Sequence, residues 1–358
     1  MLRHAAKALV RQIPAIDRLV KQRDELLQKV AFLQNSSIPA IPAPPVPSVS
    51  RTEALLAPIS RSARIIEIGP SYNPIAPKAG GWNTITVDHA TRAELVAKYT
   101  GAQDVDVDRI EEVDCIWTNG PLAEAVPHRL HGTFDALIAS HVIEHATDLV
   151  GFLDAAETLL APSGIIVLAI PDKRYCFDYF RPATTTGQVL YAHAARRSRH
   201  TRRIVFDQLA YAVKNVGDGG WGGAWGQAPI RELDFFNTLE QAGAESSTVS
   251  EDPSAPYVDM HAWQFTPASF ELIMLELARL GESDWEIERV TPPSGFEFHA
   301  WLCRGGKAAA AALSVRELNV QRLALLKRML LETRDQVNFL LAGEPALTPV
   351  PPLGRSSG

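Results

Sequence analysis

No stretch of this chain approaches the roughly twenty consecutive apolar residues that span a bilayer. Charges recur from Arg3 to Arg23, where a secretory leader needs an unbroken apolar core. Neither secretion nor a membrane span is expected, and a cytoplasmic protein is. Cysteine is scarce, with Cys115, Cys176 and Cys303 far apart and in no paired or metal-ligand spacing. That argues against a disulfide framework and fits reduced thiols. Positive charge is not in surplus either: 35 Lys and Arg against 41 Asp and Glu leave a net charge of −6, the wrong sign for a protein devoted to nucleic acid. A hydrophobic share of 46% with 21% charged residues remains, the balance of a globular protein.

What the chain does have is a short β-branched run, Ile65, Ile66 and Ile68, stopped by Gly69-Pro70. A second apolar run, Thr84 to Val87, ends in Asp88, nineteen positions after Gly69. A strand, a turn glycine and an acid about twenty residues on make a nucleoside-binding α/β unit. The glycine lets a ligand approach the backbone, and the acid accepts hydrogen bonds from ribose hydroxyls. The structural alternative for Asp88 is a cap on the helix that starts near Thr91. The nicotinamide fingerprint G-x-G-x-x-G does not follow, because Pro70, Ser71 and Tyr72 succeed Gly69. Glu67, two residues before the glycine, points instead to S-adenosylmethionine.

That acid-x-Gly strand end resembles motif I of class I S-adenosylmethionine-dependent methyltransferases, with Ser71 and Asn73 in place of the usual second and third glycines. Phe134 to His145, ending Ser140-His-Val-Ile-Glu-His145, resembles the family's fourth strand and the loop after it, in the form of the methyltransferase type 11 branch. Leu159 to Pro171 resembles its helix, Pro-x-Gly turn and fifth strand. The resemblance spans roughly 60 to 305. It implies an α/β fold with a doubly wound Rossmann-like sheet and a closing antiparallel strand, and S-adenosylmethionine as cofactor. It also implies that Glu67 orders the loop of Gly69, Pro70 and Ser71, that Asp88 holds the ribose, that Asn119 and Gly120 meet the adenine, and that Ser140 and His141 face the methionine end. Relatives with these motifs sit beside glycan-building enzymes, so a saccharide or other small hydroxylated acceptor is implied.

The remaining organisation follows from pattern. Residues 1–37 read as an amphipathic helix, with Ile16, Leu19, Leu26, Val30 and Leu33 on a coiled-coil seam interrupted at Arg23. A proline-rich linker at 38–50 precedes the methyltransferase-like domain at 51–306. Strands are expected near 64–69, 83–88, 113–117, 134–140 and 164–170, and helices near 91–99, 121–128 and 148–160. Residues 172–262 break this rhythm and form a large cap insertion after the fifth strand. Thr266-Pro267 opens a helix, and a hairpin closes the sheet at 285–303. A C-terminal helix at 307–342, with Leu323, Leu330 and Val337 one heptad apart, could pair with the N-terminal helix or with a second copy as a homo-oligomer. The tail at 343–358 is expected to be disordered.

Three residues compete for the role of base on a hydroxyl acceptor. His141 stands at the strand edge beside the expected methyl position, His261 lies two residues from Asp259 as its orienting acid, and Asp172 follows strand five. Lys173 and Arg174 would hold Asp172 charged and weaken it as a base. Asp172, Lys173, Arg174 and Trp263 are candidates for acceptor recognition, with surface salt bridges as the alternative for the two cations. Trp221, Trp225 and Trp263 could stack on sugar or fill a lid core. The basic run Arg196 to Arg203 could hold an acidic substrate or form a solvated helix face or an interface. Glu144-His145 reads as a packing and hydrogen-bond pair. His141 and His145 have a metal-ligand spacing but no third ligand of known spacing, so no metal is expected. The rival function is a cofactor-binding scaffold whose terminal helices do the work.

Overall fold

The structure, a computed structural model, describes residues 49–102, 105–118, 120–216, 222–228 and 230–343. The chain divides into two units, 1–50 and 51–358, and nearly all described residues belong to the second. The expected N-terminal helix, all but the end of the proline-rich linker, and the tail beyond Gly343 lie outside the described residues.

Alternating burial builds the sheet. In β1 (Arg64–Ile68), Ile66 and Ile68 enter one core while Ile65 enters another on the opposite face. Each strand residue thus serves one of two layers, as the period of two requires. The strands continue as β2 (Asn83–Asp88), β3 (Cys115–Ile116), β4 (Phe134–Ser140) and β5 (Leu160–Pro171), all parallel. After a short cap hairpin of β6 (Val213–Asn215) and β7 (Leu233–Phe235), β8 (Trp285–Val290) and β9 (Glu297–Arg304) finish the sheet. Its order is β3-β2-β1-β4-β5-β9-β8, with β9 antiparallel to both neighbours. This is the expected doubly wound sheet with an antiparallel closure.

Helices cover both faces. Leu55 and Leu56 of α1 (Arg51–Leu56) pack with Ile65, Ile138, Val167 and Trp301. After α2 (Arg92–Tyr99), α3 (Leu149–Leu159) covers the other face with Ile66, Leu137 and Leu168. The cap holds α4 (Thr186–Ala194), α5 (Arg202–Tyr211) and α6 (Leu239–Thr248). Then come α7 (Pro267–Leu280), α8 (Gly306–Ala312) and α9 (Val315–Gly343). Thr266 caps α7 and Pro267 opens it. No helix among the described residues is long and apolar enough to cross a membrane.

Three expected elements differ in form. The helix expected at 121–128 is a 3₁₀ turn, Leu122–Ala125. Pro127 has no N–H to continue an α-helix and pushes Val126 into extended geometry. The third strand shrinks to two residues because it pairs only with the end of β2 at the sheet's edge. The fifth strand begins at Leu160, carried by a shifted register against Phe134.

The strand order reverses between β1 and β4, on either side of which the connections run in opposite directions. Ligands of such sheets bind outside the carboxyl ends of the strands at this point. The antiparallel run of β9 brings its first residue, Glu297, opposite Pro171 and so to the same edge.

Candidate functional site

Glu67 is buried at the end of β1, and its carboxylate accepts the backbone N–H of Ile75 at 2.6 Å and of Ala76 at 3.0 Å. Burial pushes its carboxyl up to about 7 against the pull of those two donors. Glu67 therefore ties down the loop after β1, as expected. Gly69 has a φ of 63°, and a side-chain carbon there would come within 3.0 Å of Val142 Cγ2. Ser71, also left-handed at φ 47°, donates its N–H to Asp88 Oδ2 at 2.9 Å. Its hydroxyl is buried and has no hydrogen-bond partner among the described residues.

Asp88 is almost fully buried at the end of β2. Besides Ser71, it accepts the backbone N–H of His89 and faces its Nδ1, both at 2.7 Å. A carboxylate can accept about four hydrogen bonds, and the half-exposed His89 ring can swing away, so a ribose hydroxyl has a place here. Gly120, φ 70°, follows β3, whereas Asn119 lies outside the described residues. The loop thus has what a nucleoside cofactor needs: a backbone cleared of side chain, a buried acid and an orphaned hydroxyl.

At the end of β4 a second cluster forms around Glu297. Its Oε1 accepts from Arg51 Nε at 2.5 Å and faces His299 Nε2 at 2.8 Å; its Oε2 faces His141 Nε2 at 2.7 Å. Arg51 Nη2 also donates to Ser140 Oγ at 2.7 Å. Burial raises the Glu297 carboxyl, but hydrogen bonds from His141, His299 and Arg51 outweigh it and hold the group well below the ordinary range. His141 adopts a left-handed φ of 54°, which a residue without a special role avoids. Sequence reasoning missed Glu297 and Arg51. A signal existed for the first: Glu297 and His299 alternate with Phe298 and Ala300, so two polar residues share one face of a buried strand. Nothing marks Arg51.

The loop after β4 also carries Glu144 and His145, and the end of the cap lies against it. Ala262 and Trp263 both donate their backbone N–H to the Glu144 carbonyl, at 2.7 and 3.2 Å. Trp263 Nε1 donates to the Ala146 carbonyl at 2.6 Å. His261 is thereby held against His145, ring centroids 4.5 Å apart. The expected Asp259–His261 pair does not form. His261 Nδ1 meets Asp178 Oδ2 at 2.6 Å, and Asp178 also takes Arg181 at 2.6 Å. Asp259 instead lies 2.8 Å from His145 Nδ1, close enough for an ion pair but not aligned as a hydrogen bond. Two residues along an extended segment share a side, but two different carboxylates were in reach and each imidazole took the nearer one. Burial raises the Asp178 carboxyl, yet His261 and Arg181 hold it down to about 2.

The residues expected to recognise an acceptor are spent elsewhere. Asp172, Lys173, Arg174 and Trp263 are all buried. Asp172 is gripped by Arg174 through Nε at 2.8 Å and Nη2 at 2.5 Å. Lys173 donates to the Tyr179 carbonyl at 2.9 Å. They anchor the base of the cap, because charged groups buried this deeply must pair with what is beside them. Asp172, facing a guanidinium, is no base. Trp225 packs with Tyr179, Val213 and Ile230 as cap core, and Trp221 lies outside the described residues. In the basic run, Arg199 and His200 are buried, Arg199 donates to the Ala255 carbonyl at 2.6 Å, and Arg202 bonds the Ser246 and Ser247 carbonyls. Packing inside the cap takes up much of this run.

Residues 47–217 match a family model described as a methyltransferase domain. No curated protein matches the chain. Among solved structures it is similar to a Rhodobacter sphaeroides protein described as a Zn-dependent alcohol dehydrogenase, at 14% identity over 72% of this chain and 91% of that one, TM-score 0.39. It is also similar to the 1,6-didemethyltoxoflavin-N1-methyltransferase of Burkholderia thailandensis, solved with 1,6-didemethyltoxoflavin and S-adenosylhomocysteine. There the identity is 12% over 71% of this chain and 76% of that one, TM-score 0.35. An S-adenosylmethionine-dependent methyltransferase of Mesorhizobium loti gives 12% identity over 71% and 98%, TM-score 0.35.

Proposed function

We propose that the chain is a class I S-adenosylmethionine-dependent methyltransferase, a reading supported by the match of residues 47–217 to a methyltransferase-domain model, and that it methylates a hydroxyl of a small-molecule or saccharide acceptor, with His141 as the base. When bound, the cofactor supplies an electrophilic methyl group on a sulfonium. The loop of Gly69 and the free hydroxyl of Ser71 would hold it at the end of β1, and Asp88 would receive its ribose.

The single observation that carries the choice of base is the His141–Glu297 contact. A neutral imidazole that donates Nε2–H to a carboxylate presents its lone pair at Nδ1. Glu297 thus fixes both the tautomer and the ring. His141 takes the hydroxyl proton at Nδ1 as the acceptor oxygen bonds the methyl carbon, and the electron pair of the carbon–sulfur bond returns to sulfur. Arg51 and His299 keep Glu297 ionised through the cycle. A hydroxyl far above neutrality in pKa gains from such a base where an already nucleophilic acceptor would not.

Cofactor binding tests the premise. By calorimetry Asp88→Ala weakens S-adenosylhomocysteine binding by about 1–3 kcal/mol, the loss of hydrogen bonds to a buried carboxylate. Tight NADH binding with no heat from S-adenosylhomocysteine overturns it.

The exposed row on α9 supports self-association as a second, separate reading. Leu323, Leu330 and Val337 face solvent, while Phe339 and Leu340 pack on the cap. Changing Leu323 and Leu330 together to Glu is expected to lower the mass seen by light scattering and to leave cofactor binding unchanged. A parent that is monomeric at micromolar concentration removes this reading.

A further inference from the structure

Glu144 has no place in the chemistry above, and its environment is anomalous. It is wholly buried, and neither Oε1 nor Oε2 accepts a hydrogen bond among the described residues. The nearest imidazole nitrogens are His141 Nδ1 at 3.6 Å and His145 Nε2 at 3.8 Å, both too far for hydrogen bonds. A buried carboxylate without a partner is costly, and folds retain one where something else neutralises it.

Two imidazoles share its pocket. One ligand atom from each of Glu144, His145 and His261 lies within 4.8 Å of the other two. Both rings are backed by carboxylates on Nδ1, Asp178 behind His261 and Asp259 beside His145. That leaves Nε2 of each ring for a ligand. A histidine whose far nitrogen rests on a carboxylate is the usual metal-ligating arrangement, since the carboxylate sets the tautomer and raises the basicity of the ligating nitrogen.

We propose that Glu144, His145 and His261 bind a divalent first-row transition-metal ion, with zinc the best match to two imidazoles and one carboxylate. Ligands about 2.1 Å from such an ion stand about 3.5 Å apart, so the three side chains need to draw in by roughly an ångström. Spacing along the chain hid this site. His141 and His145 form the conspicuous pair, but the fold takes Glu144 and His145 and supplies the third ligand from 116 positions further on, through the backbone bonds of Ala262 and Trp263 to Glu144. Three protein ligands leave a coordination position open, the arrangement of a working rather than a structural site. His141 Nδ1, 3.6 Å from Glu144 Oε1, stands beside it. Resting on the methyl-transfer reading, the open position takes the acceptor's oxygen and makes its hydroxyl more acidic before His141 receives the proton.

The full-length protein, stripped with a chelator, is titrated with Zn²⁺ and separately with Co²⁺. About one ion per chain is expected by elemental analysis, with visible Co²⁺ bands of low symmetry. Glu144→Gln and His261→Gln should abolish tight binding. Asp259→Asn, at a side chain 68% exposed, should weaken it by ~10–100-fold without disturbing the fold. S-adenosylhomocysteine binding, measured on the same samples, separates the two readings. Variants that lose metal but keep that binding support the site. A parent that binds metal but not S-adenosylhomocysteine keeps the site and removes its catalytic role. A stripped parent that takes up no ion, or a Glu144→Gln and an Asp259→Asn variant that both bind as the parent does, overturns the proposal and makes the cluster an internal ion pair of a protonated His145.

Discussion

Replacing His141 is expected to slow single-turnover methyl transfer by ~10²–10⁴-fold, the usual contribution of a positioned base. The ring is held at one nitrogen by Glu297 and makes no hydrogen bond at the other among the described residues, so its loss removes the proposed proton acceptor without touching the loop of Gly69 or the carboxylate of Asp88. S-adenosylhomocysteine affinity should accordingly change by no more than a few-fold. His141 sits at φ 54°, where alanine adds strain of its own. His141→Asn is the better variant, because asparagine tolerates left-handed backbone. A rate within a few-fold of the parent, measured under single-turnover conditions with an identified acceptor, would mean that positioning alone carries the reaction. A loss that vanishes at high pH, where a hydroxyl ionises unaided, would confirm that proton removal was the missing step.

Glu297→Gln should cost about 3 kcal/mol of unfolding free energy, the lower end for breaking a buried ion pair by removing one partner. Glu297 is 5% exposed and joins Arg51, His141 and His299. The lower end applies because the Arg51 side chain is 31% exposed and water can partly replace its partner. The pH dependence has a definite sign. The folded carboxyl lies far below its unfolded value near 4.5, so its contribution is complete above that pH. It is lost as pH falls below 4.5 toward the folded value, because the unfolded chain then binds the proton first. Denaturant titrations at pH 7 and pH 3.5 should show a gap between parent and variant that narrows in acid. An equal gap at both values would assign the loss to packing rather than charge.

The first β-strand, its glycine and the distant acid were legible because each rests on local chemistry. A β-branched run, a left-handed turn and a strand-terminal carboxylate sit within a few residues of the features they serve. The Asp259–His261 pairing failed for the opposite reason. Proximity along the chain indicates which side chains share a face, not which of two carboxylates a folded cap will bring nearer, and Asp178 arrives from 83 positions away. The charged run Asp172-Lys-Arg174 misled because sequence shows charge but not depth. Under the cap these groups satisfy one another and the backbone. Glu297 escaped notice because its alternation with His299 shows only that the two share one face of the strand; its pairing with the end of β5 is what places that carboxylate at the sheet's carboxyl edge.

The bond between Arg51 and Glu297 spans 246 positions and has a consequence for how the protein is made. During synthesis the loop of Gly69, Asp88 and β4 emerges early, and local contacts can order it while most of the cap is still unmade. The carboxylate that orients His141 arrives only with β9, almost at the end of the sheet, and must insert between β5 and β8. Long-range pairing of this kind is slow to form. A nascent or truncated chain ending before Glu297 therefore carries the loop of Gly69 and the carboxylate of Asp88 without the group that holds the His141 ring.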